Sequence, residues 1–280
     1  FTAFRKEVER FIPVRTPFPA PEHFQPWSVS VEVGKIPTMQ ELEQAPIPKD
    51  KRVKMSFWGG EAVGLKRVEE YFSNRYIDDF EEHRCDLMGL NNSSKLSPYL
   101  AMGCISPKYV YTELKKYEAQ YGSNKSTQSF ALELLWRDYY RLLGKKNIHK
   151  IFEKGGILGR ETLKLEDNWD NFNAWMQGKT NSDLINACML ELKHTGFLSH
   201  KGRQLVSSYL VHDLKVNWQM GAAYFQHILI DYDVCSNWVN WNIVGGVGPD
   251  SKEERYINIE NQVKKLDPKG EFTDWWLGDA

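Results

Sequence analysis

The sequence lacks a long apolar run, a paired-cysteine motif and an excess of charge of either sign, and each absence excludes a class of protein. No stretch approaches the roughly 18–20 apolar residues that a membrane-spanning helix needs, so we predict no membrane span. The four cysteines are widely spaced without a C-x-x-C pair, which argues against a disulfide framework or structural zinc and for reduced thiols inside a cell. The formal net charge is −1. Only a local basic patch could therefore attract nucleic acid.

Proline is scarce outside one segment near the start of the sequence. Eight of the 12 prolines lie between Pro13 and Pro48, and the same segment carries a short alternation of valines. This composition predicts an extended arm laid over a surface. We therefore divide the chain into an arm or linker over residues 1–57 and one domain over residues 58–280. The first residues do not resemble a signal peptide and include no initiator Met, as expected of a processed chain or a part of a longer one.

After the arm, apolar residues recur at helical spacing, and no window shows the alternation that is typical of strands. Predicted helical segments include residues 183–194, 200–214 and 218–230. Ser97 and Ser106 each precede a proline, which places a capping hydroxyl before a first-turn proline and predicts a helix start. With 41% hydrophobic and 26% charged residues, the chain is expected to be globular and all-α.

Polar and charged residues recur within these apolar helices. The segment 93–97 (SSKLS) sets three hydroxyls and a cation ahead of a helix, a pattern that suits a phosphate but also occurs in ordinary helix capping. Glu133 and Arg137 stand at i and i+4, as a surface ion pair or as the lining of a pocket. Arg203 and Asp231 lie on different segments, and each is a natural partner for the other's buried charge.

Two other motifs do not support a site. The glycine-rich segment 245–248 has no strand before it and no Lys-Ser/Thr after it, so we interpret it as a turn. Asp231 and Asp233 lack a third hard ligand nearby, and the seven histidines are scattered, so no metal is expected. No Ser/His/Asp or Cys/His spacing indicates a nucleophile.

Four blocks of the sequence, in order, resemble the C-terminal flavin-binding helical domain of photolyases and cryptochromes, and the DASH branch most closely. The similarity runs from about Trp58 to Trp276, and the opening FTAFRK resembles the linker of that branch. The α/β antenna domain that precedes this region in the family is not part of the sequence. The four blocks are residues 93–107 (SSKLSPYLAMGCISP), 133–138 (ELLWRD), 195–204 (TGFLSHKGRQ) and 231–238 (DYDVCSNW).

The resemblance implies one FAD bound in the middle of the helical domain. Leu96 and the serines around it would line the pyrophosphate and ribityl region, and Arg203 paired with Asp231 would flank the flavin ring. Asp233 would reach the flavin edge or the adenine side, and Asn237 would face flavin N5. The positions that match the cofactor-binding set are Ser93, Ser94, Leu96, Ser97, Glu133, Arg137, His200, Arg203, Asp231, Asp233 and Asn237.

The resemblance also implies a chain of tryptophans that passes electrons to the light-excited flavin. Trp241 matches the member next to the flavin, and Trp218 matches the middle member. Trp169 is the best candidate for the outer member, although its spacing is looser. Packing in the core would also account for two of these residues, so that explanation stays open.

On the substrate side, the resemblance is incomplete. Glu133 and Trp136, which match catalytic positions of the family, are kept, but an aliphatic Ile243 replaces an aromatic wall of the lesion pocket. Glu253 and Glu254 add negative charge where a DNA-facing rim should be basic. Together these departures predict weak or lost repair and at most weak binding of single-stranded DNA. Two further departures replace the usual Asn and Arg by His200 and Lys201.

Three functions remain in competition. The first is a FAD-binding, blue-light-responsive flavoprotein with weakened or lost DNA repair. The second is a light-dependent pyrimidine-dimer photolyase that acts on single-stranded DNA. The third is a flavin-poor structural subunit that binds a protein complex through the proline-rich arm. An intracellular location is expected, with chloroplast, mitochondrion and nucleus all open.

Overall fold

The computed structural model describes residues 1–45, 50–161, 163–249 and 256–278. Within these ranges the chain is helical, and its single β pairing is an isolated bridge between Glu166 and Val216. The all-α prediction is confirmed. The α-helices of the described ranges are α1 (Thr2–Phe11), α2 (Glu61–Ser73), α3 (Phe80–His83), α4 (Ser97–Ala101), α5 (Pro107–Tyr121), α6 (Lys125–Asn147), α7 (Trp169–Met176), α8 (Asp183–Thr195), α9 (His200–Ser208), α10 (Trp218–Ile228), α11 (Val234–Val244), α12 (Ile259–Leu266) and α13 (Glu271–Leu277).

The helices expected from periodicity agree with α8, α9 and α10. The segment predicted as one helix over residues 200–214 changes after α9 into a single π-helical turn over Tyr209–Asp213. The Ser106 hydroxyl caps α5 by accepting a hydrogen bond from the Lys108 N–H at 3.2 Å, as predicted. The Ser97 cap is wrong, because the Ser97 hydroxyl instead donates to Asp231 at 2.6 Å. A buried carboxylate therefore takes the hydroxyl that capping would have used.

The arm is not extended at its start. Residues 2–11 form α1, since FRKEVERF carries an apolar stripe at helical spacing that the proline count obscured. The Phe1 ring stacks on Trp136 of α6, with centroids 3.5 Å apart and planes 10° from parallel. Residues 12–37 contain no helix or strand, but they are almost entirely exposed, so the predicted packing of the arm over a surface is not seen along them. Pro46 and Pro48 lie outside the described residues.

The end of the arm is fastened to the helical body. Arg52 forms an ion pair with Asp50 at 2.7 Å and donates to the Trp276 carbonyl oxygen at 2.6 Å. The Arg52 guanidinium holds the pKa of Asp50 well below its usual range. Phe57 packs against Phe197 with ring centroids 5.1 Å apart. Residues 50–57 therefore rest on the body already, while a domain boundary between residues 57 and 58 stays a prediction.

Two hydrophobic cores fill the body. The large core is built around Trp175, Leu192, Leu198, Val239 and Trp241, and the small core around Tyr71, Phe72, Leu96, Leu114 and Phe130. Helix α6 runs along both, because it packs on α3 and α5 at one end and on α11 at the other. No helix of the described ranges is long and apolar enough to cross a bilayer.

Candidate cofactor site

A cavity of about 590 Å³ opens between the two cores. Its volume falls within the roughly 300–1,000 Å³ that is typical of small-molecule and cofactor sites. Every residue of the predicted cofactor-binding set lines it: Ser93, Ser94, Leu96, Ser97, Glu133, Arg137, His200, Arg203, Asp231, Asp233 and Asn237. Residues that are up to 144 positions apart in the sequence are thus brought to one surface by the packing of α4, α6, α9 and α11.

The pairing of Arg203 with Asp231 is present as predicted. Arg203 Nη2 lies 2.9 and 2.7 Å from the two carboxylate oxygens, and the Asp231 side chain is buried. Arg203 Nε donates to the Leu198 carbonyl oxygen at 2.8 Å, which fixes the guanidinium against the start of α9. With the Ser97 hydroxyl as a further donor, the Asp231 carboxylate has its charge compensated without solvent.

The serine-rich segment 93–97 forms one wall of the cavity just before α4. Lys95 has a left-handed φ of 57°, and burial lowers the pKa of its ammonium group. The ammonium lies 5.0 Å from the centre of the Phe197 ring, a cation–π contact. The segment is braced from behind by Arg67 of α2, which the sequence reasoning missed. The available signal was an arginine on the same helical face as Val68 and Tyr71.

Glu133 and Arg137 do not pair with each other. Glu133 forms a close ion pair with Arg84, whereas Arg137 donates to the Leu100 carbonyl oxygen at 3.2 Å. Burial lowers the pKa of Arg137. Of the two interpretations left open, the surface ion pair is wrong and the lined pocket is confirmed, because a tertiary partner competes successfully with the i+4 neighbour.

At the start of α11, two predicted residues already have protein partners. The Asp233 carboxylate caps the helix by accepting from the Ser236 N–H at 2.9 Å, and it lies 3.5 Å from Arg141 Nε. The Asn237 amide donates to the Ala222 carbonyl oxygen at 3.0 Å, so the orientation of this buried side chain is fixed. The structure thus pre-organises this wall, while the contacts that the resemblance assigns to both side chains stay predictions.

The substrate-side residues meet at the mouth of the cavity. The His200 and Gln204 side chains are in contact at 3.0 Å, and burial lowers the pKa of His200 although Glu133 opposes the shift. Ile243 is 5% exposed and presents an aliphatic wall to the cavity. Trp136 lines the cavity as well. Glu253 and Glu254, with the repulsion that we predict from them, lie outside the described residues.

The three tryptophans of the predicted electron chain occupy different depths. Trp241 lines the cavity at 2% exposure, Trp218 is fully buried in the large core, and Trp169 is 62% exposed at the start of α7. The ring of Trp175 lies 6.4 Å from that of Trp241 and 5.9 Å from that of Phe172. Phe172 is in turn 5.8 Å from Trp169. Rings in contact thus connect the cavity to the surface at Trp169 through Trp175, a route that the sequence did not suggest.

The residues present fit FAD. Lys95 and Arg137 line the cavity, and neither has a carboxylate within ion-pair distance in the part of the chain that the structure describes. These two half-buried cations, which no ion pair with a described carboxylate engages, are available to bind a pyrophosphate. Leucine and aromatic side chains from both cores supply apolar walls for the two ring systems.

Comparison with known proteins identifies the family. The family model for the FAD binding domain of DNA photolyase matches residues 130–279, more than half of the chain. The chain is 40% identical to Cryptochrome DASH of Gloeobacter violaceus and 39% identical to the chloroplastic/mitochondrial Cryptochrome DASH of Arabidopsis thaliana, each over 99% of its length and over 55% and 48% of theirs. The solved structure of the Synechocystis cryptochrome superposes with a TM-score of 0.92 at 40% identity, over 99% of this chain and 57% of that one.

The chain spans about half the length of the curated relatives that it matches. The matched family model covers the cavity-lining residues of the cofactor-binding set from Glu133 to Asn237, while the serine-rich segment 93–97 lies before it. The chain therefore belongs to the photolyase/cryptochrome family, as an FAD-binding helical domain whose relatives are DASH cryptochromes.

Proposed function

We propose that this chain is the FAD-binding, blue-light-responsive domain of a DASH-type cryptochrome with weakened or lost DNA repair. The observation that carries the proposal is that one cavity, of about 590 Å³, is lined by the whole predicted cofactor-binding set. When bound, FAD supplies light-driven electron transfer chemistry. The chain's own residues hold and orient it, and they exclude water from its ring system.

Each wall of the cavity has its own task in this proposal. The serine-rich segment and Lys95 bind the pyrophosphate, and Arg203 with Asp231 supports the flavin ring. Asn237, fixed by its bond to Ala222, presents its side chain to flavin N5. Trp241 is the electron donor nearest the flavin, with Trp218 and Trp169 as the further members of the chain.

Photoreduction tests this assignment. Trp241→Phe keeps most of the packing volume and removes the readily oxidised indole, so we expect flavin binding to persist and reduction under blue light with a thiol to slow strongly. Trp276→Phe is the matched control, because Trp276 is equally buried but does not line the cavity. Photoreduction of Trp241→Phe at the wild-type rate would refute the tryptophan chain, and a wild-type protein that takes up no FAD would refute the function.

A second candidate function is light-dependent repair of pyrimidine dimers in single-stranded DNA. It is favoured by Glu133 and Trp136, which both line the cavity mouth. It is disfavoured by the aliphatic Ile243 and by the absence of any net positive charge on the chain. An assay on an irradiated single strand separates the two candidates.

A protein partner and an organelle are finer parts of the proposal. The arm exposes large apolar side chains, among them Phe18, Phe24 and Trp27, which support contact with another protein. Plant relatives of this chain are described as chloroplastic/mitochondrial, which supports an organelle as its location. The location of a fluorescent fusion would test the organelle, and the proteins that co-purify with it would test the partner.

A further inference from the structure

Arg67 donates its hydrogen bonds to the loop that forms the serine-rich wall of the cavity. It lies on α2 at 9% exposure, and its Nε donates to the Ser94 carbonyl oxygen at 2.8 Å. Its Nη1 donates to Asn91 Oδ1 at 3.1 Å, and its Nη2 lies 3.4 and 3.5 Å from the Leu90 and Ser93 carbonyl oxygens. Arg67 itself does not line the cavity. It therefore acts on the loop and not on the cavity's contents.

The charge of Arg67 is balanced mainly by these carbonyl oxygens. Its nearest carboxylate is that of Glu70, 4.0 Å away and half-buried. Burial lowers the pKa of the guanidinium, although the group stays protonated because its reference value is so high. A planar group with five donors can hold several carbonyls at once, which the single ammonium of a lysine cannot do.

The carbonyls that Arg67 holds determine where the neighbouring N–H groups point. In a trans peptide the C=O and the following N–H point in opposite directions. With the carbonyls of Ser93 and Ser94 directed at Arg67, the N–H groups of Ser94 and Lys95 point away from it. Both residues line the cavity, and neither N–H donates to any group in the described ranges. The left-handed φ of Lys95, followed by right-handed Leu96, is the backbone alternation that forms anion-binding concavities.

We propose that Arg67 is a positioning residue that fixes these two N–H groups toward the pyrophosphate of bound FAD. The inference rests on the proposed function, because it needs a pyrophosphate in this cavity. It predicts a selective effect. Loss of Arg67 lowers the affinity for ligands that carry the pyrophosphate and leaves the affinity for ligands that carry only the flavin ring unchanged.

The test compares ADP, riboflavin and FAD by calorimetry on the wild-type chain, Arg67→Met and Arg67→Lys. We expect Arg67→Met to lower the affinity for ADP and FAD by about tenfold or more, as for loss of charge-assisted hydrogen bonds. The affinity for riboflavin should change by less than about twofold. Arg67→Lys should recover part of the ADP affinity. Amide hydrogen exchange at Ser94 and Lys95 adds a readout without flavin: ADP should slow it in the wild type and not in Arg67→Met.

Arg52→Met is the matched control, since Arg52 also donates to a backbone carbonyl but lies at the end of the arm. Arg52→Met should lower the stability of the protein without a selective loss of affinity for ADP. The inference would be overturned if Arg67→Met lowered the affinities for ADP and riboflavin equally, or lowered neither. If Arg67→Met does not fold, full ADP affinity in Arg67→Lys would overturn it as well. A wild-type chain that binds neither FAD nor ADP would instead remove the proposed function and this inference with it.

Discussion

Asp231 is buried in the wall of the cavity and depends on Arg203 for compensation of its charge. We predict that Arg203→Ala lowers the free energy of unfolding by about 3 kcal/mol, because a buried carboxylate is left without its cation. The value is at the low end for buried pairs, since Arg203 is about a quarter exposed and the Ser97 hydroxyl still donates. Urea unfolding of the two proteins measures the difference, and FAD occupancy should fall in parallel.

A double variant and a surface pair serve as controls for this prediction. Adding Asp231→Asn to Arg203→Ala should recover much of the lost stability, because the uncompensated charge is removed. Arg141→Ala should cost less than about 1 kcal/mol, since the Arg141 side chain is half exposed and lies 3.5 Å from Asp233. Equal losses for Arg203→Ala and Arg141→Ala would contradict the role of burial.

The residues that the sequence predicts well are those whose partners follow from charge and burial alone. Arg203 and Asp231 had no other compensation available within apolar helices, and the structure pairs them. Glu133 was not predictable in the same way, since helical spacing offers Arg137 while the fold supplies Arg84. Arg67 was missed because its partners are carbonyl oxygens, which every residue carries and no motif marks.

At the scale of elements, α8 carries a carboxyl group whose ionisation opposes folding. Burial raises the pKa of Glu191 to about 8, and the opposite effects of Lys95 and Arg203 are smaller. The folded pKa thus lies above the reference value of 4.5. The resulting stability is fully present below pH 4.5 and is lost as pH rises through about 8.

We therefore predict that the free energy of unfolding falls between pH 5 and pH 8 by up to about 1.4 kcal/mol per unit from this group. Glu191→Gln should flatten the fall, and its difference from the wild type isolates the contribution of Glu191. Glu69→Gln, at an exposed position on α2, is the control and should leave the slope unchanged. Parallel curves for the wild type and Glu191→Gln would show that the carboxyl is ionised in the folded protein.

Helices were predictable where apolar residues recur at helical spacing over a long, unbroken segment. Helices α8 and α10 follow from their apolar spacing, and Gly196 ends α8 with a left-handed φ of 65°. Helix α1 was not predicted, because the prolines that follow it dominated the composition of the arm. The π-helical turn after α9 was not predictable, since Tyr209, Leu210, Val211 and His212 are all buried and no alternation of buried and exposed faces reports the helical pitch there.

For the whole molecule, the departures on the substrate side bear on DNA repair. We predict that the chain removes pyrimidine dimers feebly, and only from single strands, because stacking of a base on an aromatic wall is worth about 1–3 kcal/mol and Ile243 cannot supply it. Ile243→Tyr should raise dimer binding and repair. The measurement is dimer loss from an irradiated oligonucleotide, in light and in darkness, on single and double strands.

Glu133→Gln is the negative control for that assay, since it removes the carboxylate at the cavity mouth while keeping its size. Flavin absorbance must be compared in each variant, because Ile243 is buried and a larger ring strains its surroundings. Efficient light-dependent repair of duplex DNA by the unmodified chain would reverse the ranking of the two candidate functions.

The position of the cavity between two cores has a consequence for the way the molecule unfolds. Helix α6 joins the two cores, and residues of both cores also line the cavity between them. A ligand that fills this cavity binds only when both halves are folded, and at 100 times its dissociation constant it adds about 2.7 kcal/mol to stability. The cofactor is then a structural component as well as a chromophore: its concentration adds to the coupling that helix α6 already provides between the two cores.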